Sequence, residues 1–462
     1  MNYKFVALVI LCNFAGVAQA QILHLPDALN RSTENYEKIK GKEALVKSSR
    51  RLTKYHESQH LPDITLMAQQ NFGTINAQNG PLYSYGGLGA APTSMPLAEQ
   101  NWNAAFGSLY LANINWNIFT FGRIKNQVKV ARANESVQNM DLTQEVFNHQ
   151  IKVAGAYFNL LASQRIKYVQ EKNLERAKVF LGTTVSKASS GLIPEVEASL
   201  AKAEVSNALA AKIKAYDKEL EYAKHLAILL GEAFQTYQLD SNFNHKIPKA
   251  NLQPELNLQN HPLLRYQQSI VDKNREEEKL QRSSMWPSLY AFGVMQGRGS
   301  GFDWNYVQDN SAFSKSYTDG VGINRSNYVV GLTLSWNITK IHRNSLKHKS
   351  QKHITSSLQH DYQLLNQELA AQVSLSDQKL KNAYEIFDET KVQLQAAKDA
   401  FLQHTALYEN GLSTIVDFTQ YLYALYRAEI DYEIAQTNTW QALLLKTAAQ
   451  GDLNLLLNAI KS

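Results

Sequence analysis

Among the residue types that carry chemistry, this chain has 12 histidines, 41 carboxylates and one cysteine, Cys12. His56 and His60 stand at helical i, i+4 spacing, and His342, His348, His353 and His360 form a loose run. No H-E-x-x-H and no third ligand accompanies them, so they read as exposed helix histidines rather than a metal centre. One cysteine excludes a disulfide framework and any multi-cysteine metal site. No G-x-S-x-G nucleophile motif occurs. Tyr85-Gly86-Gly87-Leu88-Gly89 and Gly297-Arg298-Gly299-Ser300-Gly301 lack the strand–loop–helix setting and the lysine that phosphate binding needs. They read as mobile surface loops. Neither an enzyme nor a cofactor is expected. Electrostatics remains, and two carboxylates stand out for it, Glu197 and Asp417. Each follows a Gly-Leu pair by a few residues, where a helical tract begins. Near a helix N-terminus the dipole favours a carboxylate by about 0.3–1 kcal/mol, which is explanation enough for each of them. In a ring of identical chains at a narrow mouth, the same groups would select cations.

These carboxylates sit between long helical tracts. Proline is absent from 97 to 193 and from 288 to 462, and neither Gly nor Pro occurs between Leu332 and Asn410. Proline breaks helices, and interior glycine costs about 1 kcal/mol relative to alanine. Residues 341–410 as one helix would be about 105 Å long at about 1.5 Å per residue. A second long helix is expected over roughly 123–189. Phe147, Ile151, Ala154, Phe158 and Leu161 step by three and four. Val373, Leu380, Phe387, Leu394, Phe401 and Tyr408 recur every seven residues. These are coiled-coil seams.

Between the helices the period changes to two. Tyr110, Ala112, Ile114, Trp116 and Ile118 alternate with Leu111, Asn113, Asn115 and Asn117; Tyr328, Val330, Leu332, Leu334, Trp336 and Ile338 alternate with Val329, Gly331, Thr333, Ser335 and Asn337. Two weaker strands are expected at Asp63–Phe72 and Ser288–Met295, the latter with Tyr290, Phe292 and Val294 on one side. Alternation with terminal aromatics is the pattern of transmembrane β-barrels, with Trp116, Trp336, Tyr110 and Tyr328 as interface aromatics. Export fits this. Lys4, the apolar run Phe5–Val17 and Ala18-Gln19-Ala20 form a signal peptide over residues 1–20, which would take Cys12 with it. Hydrophobic residues make up 44% and charged residues 19% of the chain, a globular balance, and the formal net charge of +6 is spread out. That is no nucleic-acid footprint.

Features recur at a fixed interval. Positions 116 and 336 (Trp), 191 and 411 (Gly), and 197 and 417 (acidic) all differ by 220. We read two structural repeats, 21–230 and 258–462, joined by a connector at 231–257. Four amphipathic strands cannot close a membrane barrel, since known ones start at about 8 strands. An open edge in lipid leaves backbone groups unsatisfied, so several chains must share one barrel. A dimer or a trimer would both serve.

Leu25-Pro26-Asp27-Ala28-Leu29, Trp116-Asn117-Ile118-Phe119 through Gly122-Arg123, Ser190-Gly191-Leu192, and the run Tyr408 to Asp417, read in this order, resemble the TolC-type outer-membrane efflux proteins over essentially the whole mature chain. The resemblance implies an α+β membrane protein. It implies a homotrimer with a 12-stranded β-barrel in outer-membrane lipid, four strands per chain, continued by a long periplasmic α-helical coiled-coil tunnel. It implies a passive exit duct for efflux, coupled through a periplasmic adaptor to an inner-membrane transporter. Carried over residue by residue, it makes Asp417, Glu197, Tyr408 and Gln420 the periplasmic gate. It makes Gly191, Leu192, Pro194, Gly411, Leu412 and Ser413 the adaptor-docking tips. The family's latching arginine is Ser413 here, and an acidic position is Gln420, so the latch would rest on weaker hydrogen bonds or on other residues. A protein-secretion duct of the same fold and a secreted coiled-coil fibre are the alternatives; the fibre leaves the four strands unexplained.

Overall fold

A computed structural model describes residues 22–77, 94–240, 243, 246–248 and 258–461. The signal segment, the glycines at 86, 87 and 89, and the part of the connector that holds Pro254 lie outside the described residues. The elements run β1 (Ile22–Leu23), α1 (Leu25–Asn35), α2 (Glu37–Ser58), β2 (Asp63–Thr74), β3 (Ala104–Phe119), α3 (Arg123–Ser189), α4 (Glu195–Leu230), β4 (Gln238–Leu239), α5 (Pro262–Ser283), β5 (Ser288–Ser300), α6 (Tyr317–Val321), β6 (Arg325–Ser335), α7 (Thr339–Glu409), α8 (Ile415–Gln450) and α9 (Asn454–Lys461). They form two compact units. One holds residues 1–47, 136–270 and 358–462, and the other holds 48–135 and 271–357.

The first unit is helical. The tracts free of proline do form unbroken helices, α3 of 67 residues and α7 of 71. The seven-residue seam is the inward stripe of α7: Val373, Leu380, Phe387 and Tyr408 are buried. Tyr157, Phe158 and Trp440 are buried with Phe243 in one aromatic cluster, Phe158 stacking on Trp440 at 6.0 Å. The Tyr157 hydroxyl donates to the Leu23 carbonyl at 2.9 Å and accepts from the Asp240 N–H at 3.2 Å, satisfying a buried polar group. Lys446 is only 2% exposed and pairs with Asp377 at 2.9 Å.

Two buried histidines make this unit sensitive to acid. His149 donates from Nε2 to the Leu229 carbonyl at 2.9 Å and stacks on Tyr36, and His261 lies 3.2 Å from the Ala448 carbonyl. Burial lowers the pKa of both imidazoles. The unfolded chain therefore takes up protons first as pH falls. Stability is full above the ordinary imidazole value of about 6.5 and declines as pH drops below it toward the lowered folded values. Thermal unfolding across this range should show the decline, and His149→Gln should flatten it. An unchanged acid slope in the variant would remove His149 from this role.

The second unit is built on an antiparallel sheet in the order β2-β3-β5-β6. All four expected strands are present, and each differs from the expectation at one end or both. β6 ends at Ser335, so Trp336 and Ile338 lie beyond it. The Asn337 side chain accepts from the Lys340 N–H at 3.2 Å, a capping bond that starts α7 and ends the extended chain. At the other strand-to-helix joint Gly122 has φ 87, and Phe121 is also left-handed with φ 48. Gln296–Ser300, expected as loop, continue β5. Their glycines admit α6 against the sheet: a Cβ on Gly299 would lie 2.1 Å from the Gly322 carbonyl oxygen.

Candidate functional site

The two helix turns are built alike. Gly191 and Gly411 take φ 70 and 74. Leu192 N–H reaches the Lys187 carbonyl at 2.9 Å and Gly191 N–H the Ala188 carbonyl at 3.0 Å; Leu412 and Gly411 make the same bonds to Leu407 and Tyr408 at 2.8 and 3.1 Å. This paired closure needs a left-handed residue, which glycine supplies without penalty. Beyond the glycines the turns diverge. Pro194 is the N-cap of α4 and offers no side-chain cap. Thr414 is the N-cap of α8 and forms a capping box with Asp417.

Asp417 is thus tied to its own helix start. Its carboxylate accepts from the Thr414 hydroxyl at 2.7 Å. The Thr414 hydroxyl bond, then the Thr414 backbone bond, lower its pKa, and His404 adds a smaller effect. Gln420 is exposed and Ser413 half-buried on the same turn. Tyr408 is buried against Phe180 and Phe418, whose rings stack at 4.1 Å. Burial raises the Tyr408 phenol pKa; Thr184 opposes this and the nearby Glu197 carboxylate adds to it. The hydroxyl has no hydrogen bond of ordinary geometry. Glu197 and Tyr408 therefore come together, whereas Asp417 turns to its cap.

Lys187 was missed from sequence. Its ammonium donates to the Tyr408 and Glu409 carbonyls, both at 3.0 Å, and lies 4.9 Å from the Tyr408 ring centre. It caps the C-terminus of α7 from α3, where a cation meets the negative end of the helix dipole. A lysine in the last turn of α3 was legible; that it serves another helix was not, and position 407 in the second copy is leucine. Four apolar side chains stand out from the turns: Leu192 at 73% exposure, Leu412 at 75%, Val196 at 62% and Val416 at 67%.

The sheet presents two unlike faces. The register puts Ile64, Leu66 and Ala68 beside Ile114, Ala112 and Tyr110, and continues across Gly293, Met295 and Ala291 to Val330, Tyr328 and Leu332. No residue on this face of the four strands is charged. Asp63, Arg298 and Arg325 all lie on the other face, with Asn113, Asn115 and Thr333. Tyr290, Phe292 and Val294 also fall on that polar face. The Phe292 ring fills the space over Gly331, where a Cβ would come within 2.7 Å. Both tryptophans anchor the chain entering the sheet: Trp116 donates to the His60 carbonyl at 2.8 Å and Trp336 to the Met285 carbonyl at 3.2 Å. Tyr328 is 83% exposed, whereas Tyr110 donates to the Val321 carbonyl beneath α6. No described helix is long and apolar enough to cross a membrane.

Several solved structures with this fold are outer-membrane proteins. The VceC outer membrane protein of Vibrio cholerae aligns with TM-score 0.72 and 12% identity over 93% of this chain and 96% of that one. The CmeC outer membrane channel of Campylobacter jejuni gives 0.73 and 14% over 92% and 85%. The open state of the MtrE outer membrane channel of Neisseria gonorrhoeae gives 0.71 and 15% over 93% and 89%. At these identities the likeness is one of fold. No curated protein matches the sequence. The family model for outer membrane efflux protein matches residues 28–232 and 254–445, stretches that hold both helix turns and all four strands of the sheet. This chain belongs to the outer membrane efflux protein family.

Proposed function

We propose that the protein is the outer-membrane exit duct of a tripartite efflux system, a passive conduit coupled through a periplasmic adaptor to an inner-membrane transporter. Family membership makes it an outer-membrane efflux protein with a large periplasmic helical part. The observation that carries the finer reading is the sheet: four strands, one face without charge, and two outer strands, β2 and β6, with no partner on one edge among the described residues. Such edges in lipid leave backbone groups unsatisfied, at several kcal/mol each. Three copies closing a 12-stranded barrel would pair all of them. The equivalent turns and tryptophan bonds, and the two matched stretches, support two repeats, 21–230 and 258–462, about the connector at 231–257.

Conduction is tested in planar bilayers. Discrete single-channel conductance with cation preference is expected from the purified oligomer. Glu197→Ala and Asp417→Ala should each weaken that preference, since ring charges sum over identical chains. Conductance with unaltered selectivity would discard these two residues as gate charges. No conductance from a verified inserted oligomer would count against the duct itself.

For docking, Leu192, Leu412, Val196 and Val416 offer an apolar surface at the turns around Gly191, Pro194, Gly411 and Ser413. The fully buried core of an interface is more apolar than the rest of a protein surface. Leu192→Asp with Leu412→Asp should restore drug sensitivity to cells while leaving purified-channel conductance in place. Full resistance in that variant would rule the turns out as the adaptor contact.

A further inference from the structure

The exposed apolar side chains of β6 alternate through Tyr328, Val330, Leu332 and Leu334, and Trp336 and Ile338 carry the exposed run on to the start of α7. There the surface changes. Lys340, Arg343 and Lys347 follow at i, i+3 and i+7, which puts all three on one face of the helix. α7 has no acid in its first turn and reaches none before Asp361. Its packing on α5 is made by other residues. Asn344 donates to the Ser284 carbonyl at 2.7 Å, His348 lies 3.2 Å from the Glu278 carbonyl, and Gln351 donates to Asn274 at 2.7 Å. Lys340, Arg343 and Lys347 are exposed, and their side chains have no partner among the described residues. The neighbouring helices handle charge differently. α5 pairs Arg275 with Asp272 at 3.0 Å and Lys279 with Glu276 at 2.6 Å, and Arg132 of α3 reaches Glu57 of α2 at 2.7 Å. Like charges three and four residues apart destabilise a helix, and cations in a first turn oppose its dipole. The stripe therefore costs α7 stability that no described residue offsets.

We propose that Lys340, Arg343 and Lys347 form a docking surface for anionic phospholipids of the periplasmic leaflet, holding the headgroup phosphates where the sheet gives way to α7. The surface rests on the reading that the uncharged face of the sheet meets lipid. Depth supports it. The headgroup layer of a bilayer is about 5–8 Å thick on each side. At about 1.5 Å per residue Arg343 lies about 6 Å along α7 from Thr339, inside that layer. Lys347 lies about 12 Å along, within a Debye length of about 8 Å of it. The aliphatic stems of lysine and arginine lie along apolar surface while their charged ends reach out, and the guanidinium fork matches phosphate oxygens. An anionic leaflet attracts such a basic cluster, each residue near the surface raising affinity about fivefold. α3, the other helix that leaves the sheet, also opens with cations, Arg123, Lys125 and Lys129, and reaches no acid before Glu135. Bound phosphate would neutralise the stripe, so that the stability of the helix start and the depth of the sheet in the membrane both follow the composition of the leaflet.

Native mass spectrometry of the full-length protein in detergent, titrated with phosphatidylglycerol or phosphatidylcholine, tests the surface. Wild type should retain phosphatidylglycerol in preference. Lys340→Gln, Arg343→Gln and Lys347→Gln together should cut that affinity by on the order of a hundredfold and leave phosphatidylcholine retention unchanged. Phosphatidylglycerol should also raise the melting temperature of wild type and not that of the triple variant. Without added lipid the triple variant should melt no lower than wild type, since like-charge repulsion has been removed. A lower melting temperature would give the stripe a structural role and overturn the proposal. Lys340→Arg with Lys347→Arg should keep the preference. Lys214→Gln, Lys379→Gln and Lys398→Gln together, which remove as much charge from exposed positions elsewhere, should keep it too. Equal phosphatidylglycerol binding by wild type and the triple variant overturns the surface. So does displacement of the lipid by inorganic phosphate at equal concentration, which would make the stripe a site for free anions. Retention of neither lipid by wild type would sink the lipid-face reading and the surface with it. Phosphatidylcholine retained as well as phosphatidylglycerol would leave that reading and strike the stripe alone.

Discussion

Leu332→Arg is expected to abolish assembly of the protein in the outer membrane, whereas Thr333→Arg, one residue further along β6, leaves a heat-modifiable trimer. Successive residues of a strand point to opposite faces. Leu332 pairs with Ala291 on the uncharged face, and Thr333 pairs with Tyr290 on the face that holds every charge of the sheet. Leu332 is 67% exposed in the single chain, with Val330 and Leu334 on the same face at 74% and 64%. A contiguous apolar surface of this kind marks a membrane or protein contact. An arginine on the lipid face of a β-barrel costs from about 0–1 kcal/mol per chain near the interface to about 2–4 kcal/mol at the bilayer midplane. Three copies raise the midplane figure to about 6–12 kcal/mol, comparable with the whole stability of an ordinary domain at about 5–15 kcal/mol. Gel mobility of heated and unheated outer-membrane fractions reads the outcome. Equal loss in both variants would mean that the two faces have been assigned wrongly, or that β6 does not meet lipid.

The helices and the sheet differ in how far they could be read from sequence. For α3 and α7 nothing but the absence of breakers and a seven-residue apolar repeat was needed, because helix geometry is local and side chains three and four apart must share a face. The turns were equally legible: a glycine after a long helix points to a left-handed residue, and Gly191 and Gly411 have it. The sheet was harder. Alternation located β3 and β6, but which face of β5 lies beside which face of β3 depends on register, and a one-residue slip inverts it. Tyr290, Phe292 and Val294 look like a lipid-facing stripe in isolation. The register puts them with the asparagines, and leaves Ala291, Gly293 and Met295 beside Trp116, Ile114 and Ala112. Gly297 and Gly299 read as loop in the sequence, because the close approach of the α6 segment to the sheet leaves no trace in composition. Site residues fared similarly. Asp417 could be seen as a helix-start carboxylate, and its capping box with Thr414 is a local pattern. The service Lys187 does for α7 needed two distant helices to be placed side by side.

Phe418→Ala should have the second large effect, and it bears on gating. Phe418 is 5% exposed and sits where the turns of both hairpins meet. Its ring stacks on Phe180 of α3 at 4.1 Å and lies 5.3 Å from Tyr408 and 5.7 Å from Phe401 of α7. Removing a buried phenylalanine ring costs about 3–5 kcal/mol, because the cavity only partly collapses. Ile415 and Leu422 of α8 share the buried cluster with Phe180 of α3; further along, Arg176 and Glu429 form a bidentate pair at 2.9 and 2.5 Å. Loss of the ring therefore loosens the α7–α8 turn against α3 while the salt bridge keeps the helices registered below it. If a closed duct depends on this packing, the closed state loses far more than the about 1.4 kcal/mol that changes an equilibrium tenfold. Resting conductance should then rise at least about tenfold, with hydrogen exchange accelerated at the turns. Phe418→Leu, which keeps most of the volume, should show a small fraction of both effects. Faster exchange without higher conductance would leave Phe418 as packing alone and move the gate away from the aromatic cluster, toward the neighbouring charges of Glu197 and Asp417.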